Sequence, residues 1–566
     1  MRKSSFAPGI LFLVVALTLP AFILAQQGRS ARRATDPNRP APTSGANPKS
    51  AASASMIKSD LSEALAVIQS NHADGKALDY NNVFKGSITS MLSVLDPHST
   101  YFDQAEYASF RTEQRSEYFG IGATIEDLRE GTDIYTYIRA TFPDSPAHRA
   151  GLRFGDKIVE VDGKSMKGQP YPEVRKHLLG PRGSTVKVTV EHAASKQTEI
   201  VPIIRDAVSL PSIAQAYMLR PSVGYVAMTG GFNLTTDDEF GEALRYLHSK
   251  GMNMLVLDLR GNRGGLLIQA VRVANRFLQR GQMIVTQKGR FRDSSQSYAA
   301  VNENPDGVPV VVLVNGDSAS AAEIVAGALQ DHDRALIVGE TTFGKGLVQF
   351  PFQLDYETAL LLTIAKYYTP SGRLIQRDYS NGGNYDYYFR GGVAADRTAQ
   401  PAPQTGPESH TDTGRAVYGG GGISPDETVK PGTISAAERH LRDVLFAYSL
   451  ELVTGRAGLE AYKIQQPIEF DHELMSEDYP ITDKVFSELK KFAAAKPMFK
   501  VTPDQLDKSR TYAERQLRYN ILSAAYGFRT ATQVFNDADP QIGRAVDVMP
   551  RARELAQAAS RARARG

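Results

Sequence analysis

One junction constrains this chain more than any other. Val308 to Val314 is an apolar, β-branched run that reads as a buried strand. Ile324, Val325, Ala328 and Leu329 then recur at helical spacing. Between them lies Gly316-Asp317-Ser318-Ala319-Ser320-Ala321-Ala322-Glu323, so Ser320 sits where a strand turns into a helix. The first N–H groups of a helix lack internal partners and carry partial positive charge. An oxyanion formed beside Ser320 would be stabilised there, the N–H of Ala321 being the nearest donor. The small neighbours Ala319 and Ala321 leave room for a peptide backbone. Serine is also a common helix cap, so the junction by itself leaves both roles open.

A downstream lysine bears on the choice. Ala335 to Gly339 reads as a second buried strand, and Thr342-Phe343-Gly344-Lys345-Gly346-Leu347-Val348-Gln349 follows it. Lys345, flanked by glycines between apolar runs, is either a surface charge or a desolvated amine. Desolvation lowers a lysine's pKa. An amine brought to roughly 7–8 can act as a general base, and Ser with Lys is one way to activate a hydroxyl.

The two stretches, Gly-x-Ser-Ala-Ser-Ala-x-Glu-Ile and Thr-Phe-Gly-Lys-Gly-x-Val-Gln, resemble the C-terminal processing peptidases, also called tail-specific proteases. The resemblance implies Ser320 as nucleophile, Lys345 as base and Gln349, four residues on, as the group orienting the amine. The 25 residues from Ser320 to Lys345 match the family spacing. Asp317 and Ala322 depart from the family pattern without touching the nucleophile.

The chain has 566 residues, enough for several domains, and a net charge of +3, which argues against a dedicated nucleic-acid binder. With no cysteine it has no disulfide, thiolate nucleophile or thiolate-bound metal. Arg2 and Lys3 precede an apolar stretch from Gly9 to Ala25, which reads as a secretory signal or a retained membrane anchor (1–25). Residues 26–55, rich in Ala, Ser, Pro, Arg and Asn, read as a disordered linker.

Residues 56–116 carry a helical pattern, with Ile57, Leu61, Leu65 and Ile68 as one stripe and Val83, Ile88, Met91, Leu92 and Leu95 as another. Asp96-Pro97-His98-Ser99 breaks it, and a histidine beside proline in a turn reads as structural. Residues 117–205 resemble a PDZ domain. Gly120-Ile121-Gly122, within Tyr118 to Ala123, is similar to its carboxylate-binding loop. Such a domain adds a peptide's C-terminal segment as an extra strand. No third glycine stands at 125, so a dinucleotide loop is a weak alternative.

Residues 206–430 resemble the protease core. Val223 to Ala227 and Met254 to Leu259 read as strands and Thr235 to His248 as a helix, which suggests a mainly parallel sheet. Arg260-Gly261-Asn262-Arg263-Gly264-Gly265 follows, with Arg263 where the family has proline. Gly264 and Gly265 are expected to donate N–H groups to the oxyanion. An insertion at about 378–418 begins Tyr-rich (Tyr385, Tyr387, Tyr388, Phe389), and its tyrosines would meet either substrate or a neighbouring subunit. Residues 431–566 read as mostly helical, with a capping box at Thr502-Pro503-Asp504-Gln505. The family resemblance is strong over about 56–430 and weak beyond.

The ten histidines form no ligand pattern; Ser476 stands where a zinc-protease helix starting at His472-Glu473 would need histidine. His332 lies at the far end of the helix that Ser320 begins, about 18 Å away by helix rise, which makes it a poor base.

The expected fold class is therefore α/β (α+β) and multidomain: N-terminal helices, a PDZ domain before a mixed, mainly parallel-sheet serine protease core, and a helical C-terminal region. The expected function is an exported serine endopeptidase of the periplasm or cell envelope that captures C-terminal tails and cleaves them with a Ser–Lys dyad. No metal or other cofactor is expected. The expected partners are proteins or peptides with free C-termini, with a homodimer and membrane anchoring as further options. The alternative is a PDZ-bearing binding or scaffold protein with an inactive protease fold, which the intact Ser320, Lys345 and Gln349 argue against.

Overall fold

Two separate units form, dividing at Leu95 and Asp96, in a computed structural model that describes residues 53–73, 79–380, 387–388, 406–465 and 467–565. The expected signal or anchor, nearly all of the linker, and Tyr385 and Phe389 of the insertion lie outside these residues. Among the described residues no helix is long and apolar enough to cross a membrane.

The first unit holds α1 (Ala54–Asn71) and α2 (Tyr80–Ser93). Each starts on a side-chain cap: Ser53 accepts the Met56 N–H, and Asp79 accepts those of Asn81 and Asn82. The stripe Ile57, Leu61, Leu65 and Ile68 is exposed within this unit.

The second unit opens with β1 (Thr100–Phe102), α3 (Gln104–Glu113) and β2 (Glu117–Gly120). The PDZ region follows as β3 (Ala123–Glu130), β4 (Asp133–Thr141), α4 (Pro146–Arg149), β5 (Lys157–Val161), β6 (Lys164–Ser165), α5 (Tyr171–Leu178), β7 (Thr185–Glu191) and β8 (Thr198–Ile204). Its sheet runs β3-β4-β5-β7-β8, with β6 on β5. Ile138, Ile158, Val174 and Val188 are among its buried residues. β9 (Asp206–Ser209) pairs antiparallel with β2, so the chain enters and leaves the PDZ region side by side.

The core follows: β10 (Gln215–Arg220), β11 (Val223–Ala227), α6 (Thr236–Ser249), β12 (Met254–Asp258), α7 (Leu267–Asn275), β13 (Met283–Gly289), β14 (Gln296–Ala299), β15 (Val310–Val314), α8 (Ala321–Asp331), β16 (Ala335–Gly339), β17 (Leu347–Gln353), β18 (Ala359–Tyr368), β19 (Glu408–His410), β20 (Ala416–Tyr418) and β21 (Glu427–Thr428). One sheet runs β10-β11-β12-β15-β16-β21 and is parallel except at β10–β11. Every residue of β15 and β16 is buried, as their continuous apolar runs require of strands covered on both faces. Leu257, Val312 and Ile337 face one cluster with Phe240, Val273 and Val325. Val256, Val311 and Leu336 face the other.

Two features were not expected from the sequence. A second sheet, β1-β18-β13-β14 with β17 on β18, is antiparallel throughout, and its β13 packs against α7 and α8. The C-terminal helices are α9 (Ala436–His440), α10 (Arg442–Val453), α11 (Asp483–Ala495), α12 (Pro503–Lys508), α13 (Arg510–Asn536), α14 (Pro540–Asp547) and α15 (Met549–Arg563). They do not act as one region. Ile542, Ala545, Met549 and Ala552 of α14 and α15 cover the second face of the parallel sheet. Helices α10, α11 and α13 instead pack on the PDZ region around Leu128, Tyr137 and Phe154. There Arg139, 4% exposed, lies 4.6 Å over the Phe446 ring, donates to Asn520 Oδ1 at 2.8 Å and pairs with Glu126 at 2.9 Å. The capping box at Thr502 forms as expected. The apolar run after it is split between α12 and α13, however, with Ser509 at the break.

Candidate active site

Ser320 ends the loop from β15 and begins α8. Its φ of 56° and ψ of −114° lie in a region that non-glycine residues rarely occupy. Gly264 is pressed against it; a side-chain carbon there would lie 2.7 Å from Ser320 Cβ, so only glycine fits. The neighbouring Ser318 has a structural role. Buried, it donates to the Leu259 carbonyl at 2.8 Å and accepts the Asn315 N–H at 3.0 Å.

Glu323 joins the two expected catalytic segments. Fully buried in the first turn of α8, its Oε2 accepts the N–H of Ser320 and the N–H of Lys345, each at 2.8 Å. Its Oε1 accepts the Thr342 hydroxyl at 2.5 Å and the Gly344 N–H at 2.7 Å. Burial raises the Glu323 pKa against the pull of these donors. Four donors on one carboxylate thus bring together the loops that carry Ser320 and Lys345. The sequence contained this signal as Ser-x-x-Glu at a helix start.

Lys345 is half-buried as a residue. Desolvation brings its amine down to about 8, against the opposing charges of Glu323 and Asp96. Asp96 is held in place by the N–H groups of His98 and Ser99, both at 2.8 Å, and by the Ser99 hydroxyl at 2.6 Å. His98 is pushed down to about 2 by burial and then by the Lys345 charge, so its ring is neutral at working pH. It sits 2.8 Å from the Tyr387 hydroxyl. Tyr387 is buried against Ala319 and Phe343 of the same chain.

The loop Arg260 to Gly265 is held without the family's proline. Asn262, buried, accepts the Gly264 N–H at 2.9 Å with its side chain and the Ala319 N–H at 2.9 Å with its carbonyl. Arg263 faces Asp317 at 3.4 Å. Arg260 spans Asp258, Asp539 (2.7 Å) and Gln541 (2.8 Å), so α14 reaches the loop. Nothing in the sequence signalled that link.

Of the three expected oxyanion donors, Gly264 already gives its N–H to Asn262. The bridge to Phe232 uses the carbonyl of Gly264 and the N–H of Leu266, which turns the Gly265 N–H the other way. The Ala321 N–H is the first of α8 and has no partner within the helix. Gln349 follows a register shift in β17 that sets it opposite Thr363, and its amide donates to the Thr363 hydroxyl at 3.2 Å. In this structure the amide expected to orient Lys345 is engaged on the neighbouring strand.

His332 lies at the far end of α8, between Asp412 at 2.9 Å and the Met283 carbonyl at 2.7 Å. Asp331 pairs with the buried Arg373. In the PDZ loop, the carbonyls of Ile121 and Gly122 accept the N–H groups of Ala147 (2.7 Å) and Phe142 (3.0 Å). Gly122, at a φ of 76°, would meet Ser145 with any side chain.

Fold and site together define a serine-type endopeptidase with an attached PDZ domain. Residues 222–387 match "Peptidase family S41" and residues 137–192 match "PDZ domain". The carboxy-terminal-processing protease of Bartonella bacilliformis is 37% identical over 302 residues, 53% of this chain and 68% of that protein. The carboxy-terminal processing protease CtpA of Bacillus subtilis is 34% identical over 330 residues, 58% of this chain and 69% of that one. Among solved structures, "photosystem II D1 C-terminal processing protease" aligns at 28% identity over 65% of this chain and 92% of that chain, with a TM-score of 0.34. The chain belongs to peptidase family S41, the carboxy-terminal-processing proteases.

Proposed function

We propose that this protease is exported, captures the C-terminal tails of protein substrates with its PDZ domain, and cleaves them with Ser320 and Lys345. The observation that carries the dyad is the shared acceptor Glu323 Oε2, 2.8 Å from the backbone nitrogens of both residues. In the first step the neutral Lys345 amine takes the Ser320 proton as Oγ bonds to the scissile carbonyl carbon. The N–H groups of Gly265 and Ala321 receive the oxyanion. The ammonium then protonates the leaving amine, and water releases the acyl group by the same steps. Export is supported by Arg2, Lys3 and the apolar stretch from Gly9 to Ala25.

The test is a pH–rate profile. Lys345 acts only as the free amine, and its pKa lies at about 8. Below that value the neutral fraction falls tenfold per pH unit; above it the rate levels off. kcat/KM should therefore rise through pH 8 with a single inflection. An inflection near 6.5, the ordinary imidazole value, would assign the base to a histidine instead. A catalytically inactive scaffold would show no hydrolysis at any pH.

A further inference from the structure

Tyr367, next to last in β18, is buried in the core cluster that also holds Ala321 and Ile324. Its hydroxyl donates to the carbonyl of Ser320 at 3.0 Å. Its N–H donates to the carbonyl of Gly346, the residue after Lys345, also at 3.0 Å. Burial, then the Glu323 charge, push the phenol well above the ordinary tyrosine value, so the hydroxyl keeps the proton it donates. Glu323 accepts the N–H groups of Ser320 and Lys345. Tyr367 complements it by donating to carbonyls of the same two segments.

The carbonyl of Ser320 and the N–H of Ala321 belong to one planar, trans peptide group, so they point in opposite directions and turn together. The helix fixes this group only in part. The Ser320 carbonyl accepts the Ile324 N–H at 3.0 Å, and a single bond leaves the plane free to rock about it. The Tyr367 hydroxyl is the second anchor. An anchor is needed because Ser320, at a φ of 56°, holds a strained conformation that persists only where its surroundings enforce it. We propose that Tyr367 is a positioning residue for the reaction: by holding the Ser320 carbonyl, it aims the Ala321 N–H at the oxygen that becomes negative as Ser320 Oγ bonds to the substrate carbon. This rests on the Ser320 chemistry and the Ala321 donor proposed above. Tyr367 itself touches no reacting atom. A donor aimed at the developing oxyanion speeds the chemical step without tightening the ground state. Loss of that aim therefore lowers kcat and leaves substrate binding alone.

The experiment uses the full chain with Tyr367→Phe, which keeps the ring in the core and removes only the hydroxyl. The Ser320 carbonyl keeps its Ile324 bond, so no buried acceptor is left alone and the fold is kept; the melting temperature reports this. Wild-type enzyme digests β-casein, an unstructured protein, and the four residues before the preferred cut are made as a peptide aldehyde and as the corresponding alcohol. Serine adds to the aldehyde: Oγ bonds to the carbonyl carbon, the π pair moves to the oxygen, and the serine proton passes to Lys345. The alcohol cannot add and reports the ground state. Tyr367→Phe should lower kcat on β-casein about 10- to 100-fold, with KM changed by less than about twofold. The Ki of the aldehyde should rise by the same factor as kcat falls, and that of the alcohol should stay within about twofold. The inflection of the pH–rate profile should not move, because the base is untouched. Wild-type kcat in Tyr367→Phe overturns the proposal. So does a kcat loss with an unchanged aldehyde Ki, an equal weakening of the alcohol, or a moved inflection. A wild-type enzyme that binds the aldehyde no more tightly than the alcohol would instead remove the Ser320 chemistry, a failure distinct from that of Tyr367.

Discussion

Lys345→Arg and Ser320→Ala proteins are each expected to lose peptidase activity by a factor on the order of 10⁴ or more, while unfolding at the same denaturant concentration as the parent. The guanidinium is never deprotonated near neutral pH, so arginine cannot take the serine proton whatever its position. Burial lowers the lysine to about 8 and leaves about a tenth of it neutral at pH 7. Among the described residues the histidines nearest these motifs do not offer a second base. His98 is neutral across this range, but its Nε2 lies 2.8 Å from the Tyr387 hydroxyl. His332 is held between Asp412 and the Met283 carbonyl. Lys345→Ala should be equally inactive, since alanine supplies no base to take the serine proton. The assay is kcat/KM on an unstructured protein substrate, with circular dichroism as the check on folding. An active Lys345→Arg enzyme would move the base elsewhere and end the dyad assignment.

Glu323→Gln should damage both stability and catalysis. The carboxylate accepts from Ser320, Lys345, Gly344 and Thr342, two donors on each oxygen. Glutamine offers one oxygen and an NH₂ group that faces two of these donors. Two buried donors then lose their partner at about 1–3 kcal/mol each, so unfolding should cost about 2–6 kcal/mol less. Catalysis should fall about 10²-fold, because the loops bearing Ser320 and Lys345 lose their common anchor, and a misplacement near 1 Å has that effect. Thr342→Val removes one of the four bonds and should show a smaller loss of both. Urea unfolding beside steady-state kinetics measures the two effects. Wild-type kcat in Glu323→Gln would mean that the two loops are aligned by other contacts.

Both predictions concern residues within two short motifs, and those were readable in the chain. Val308 to Val314 and Ala335 to Gly339 are buried strands because runs this apolar have no other place. Ser320 falls at a helix start because strand and helix periodicities meet there. The acceptor role of Glu323 was visible in principle as a capping box, but that pattern does not reveal that the same oxygen also holds Lys345. Gln349 shows the limit in the other direction. Its spacing from Lys345 is local, while the register shift that sets it opposite Thr363 belongs to the pairing of β17 with β18.

The sequence by itself determined the strand–helix junction at Ser320, the glycine-flanked lysine, the PDZ loop and the parallel core, since each depends on neighbours within a few residues or on a repeating pattern of burial. Only the tertiary structure decided what those parts touch. It set Asp539 and Gln541 beside Arg260 and laid α14 and α15 on the second face of the core sheet. Contacts such as these join residues hundreds of positions apart. Which surfaces meet is settled by the burial of whole faces, and no local pattern in the chain records it.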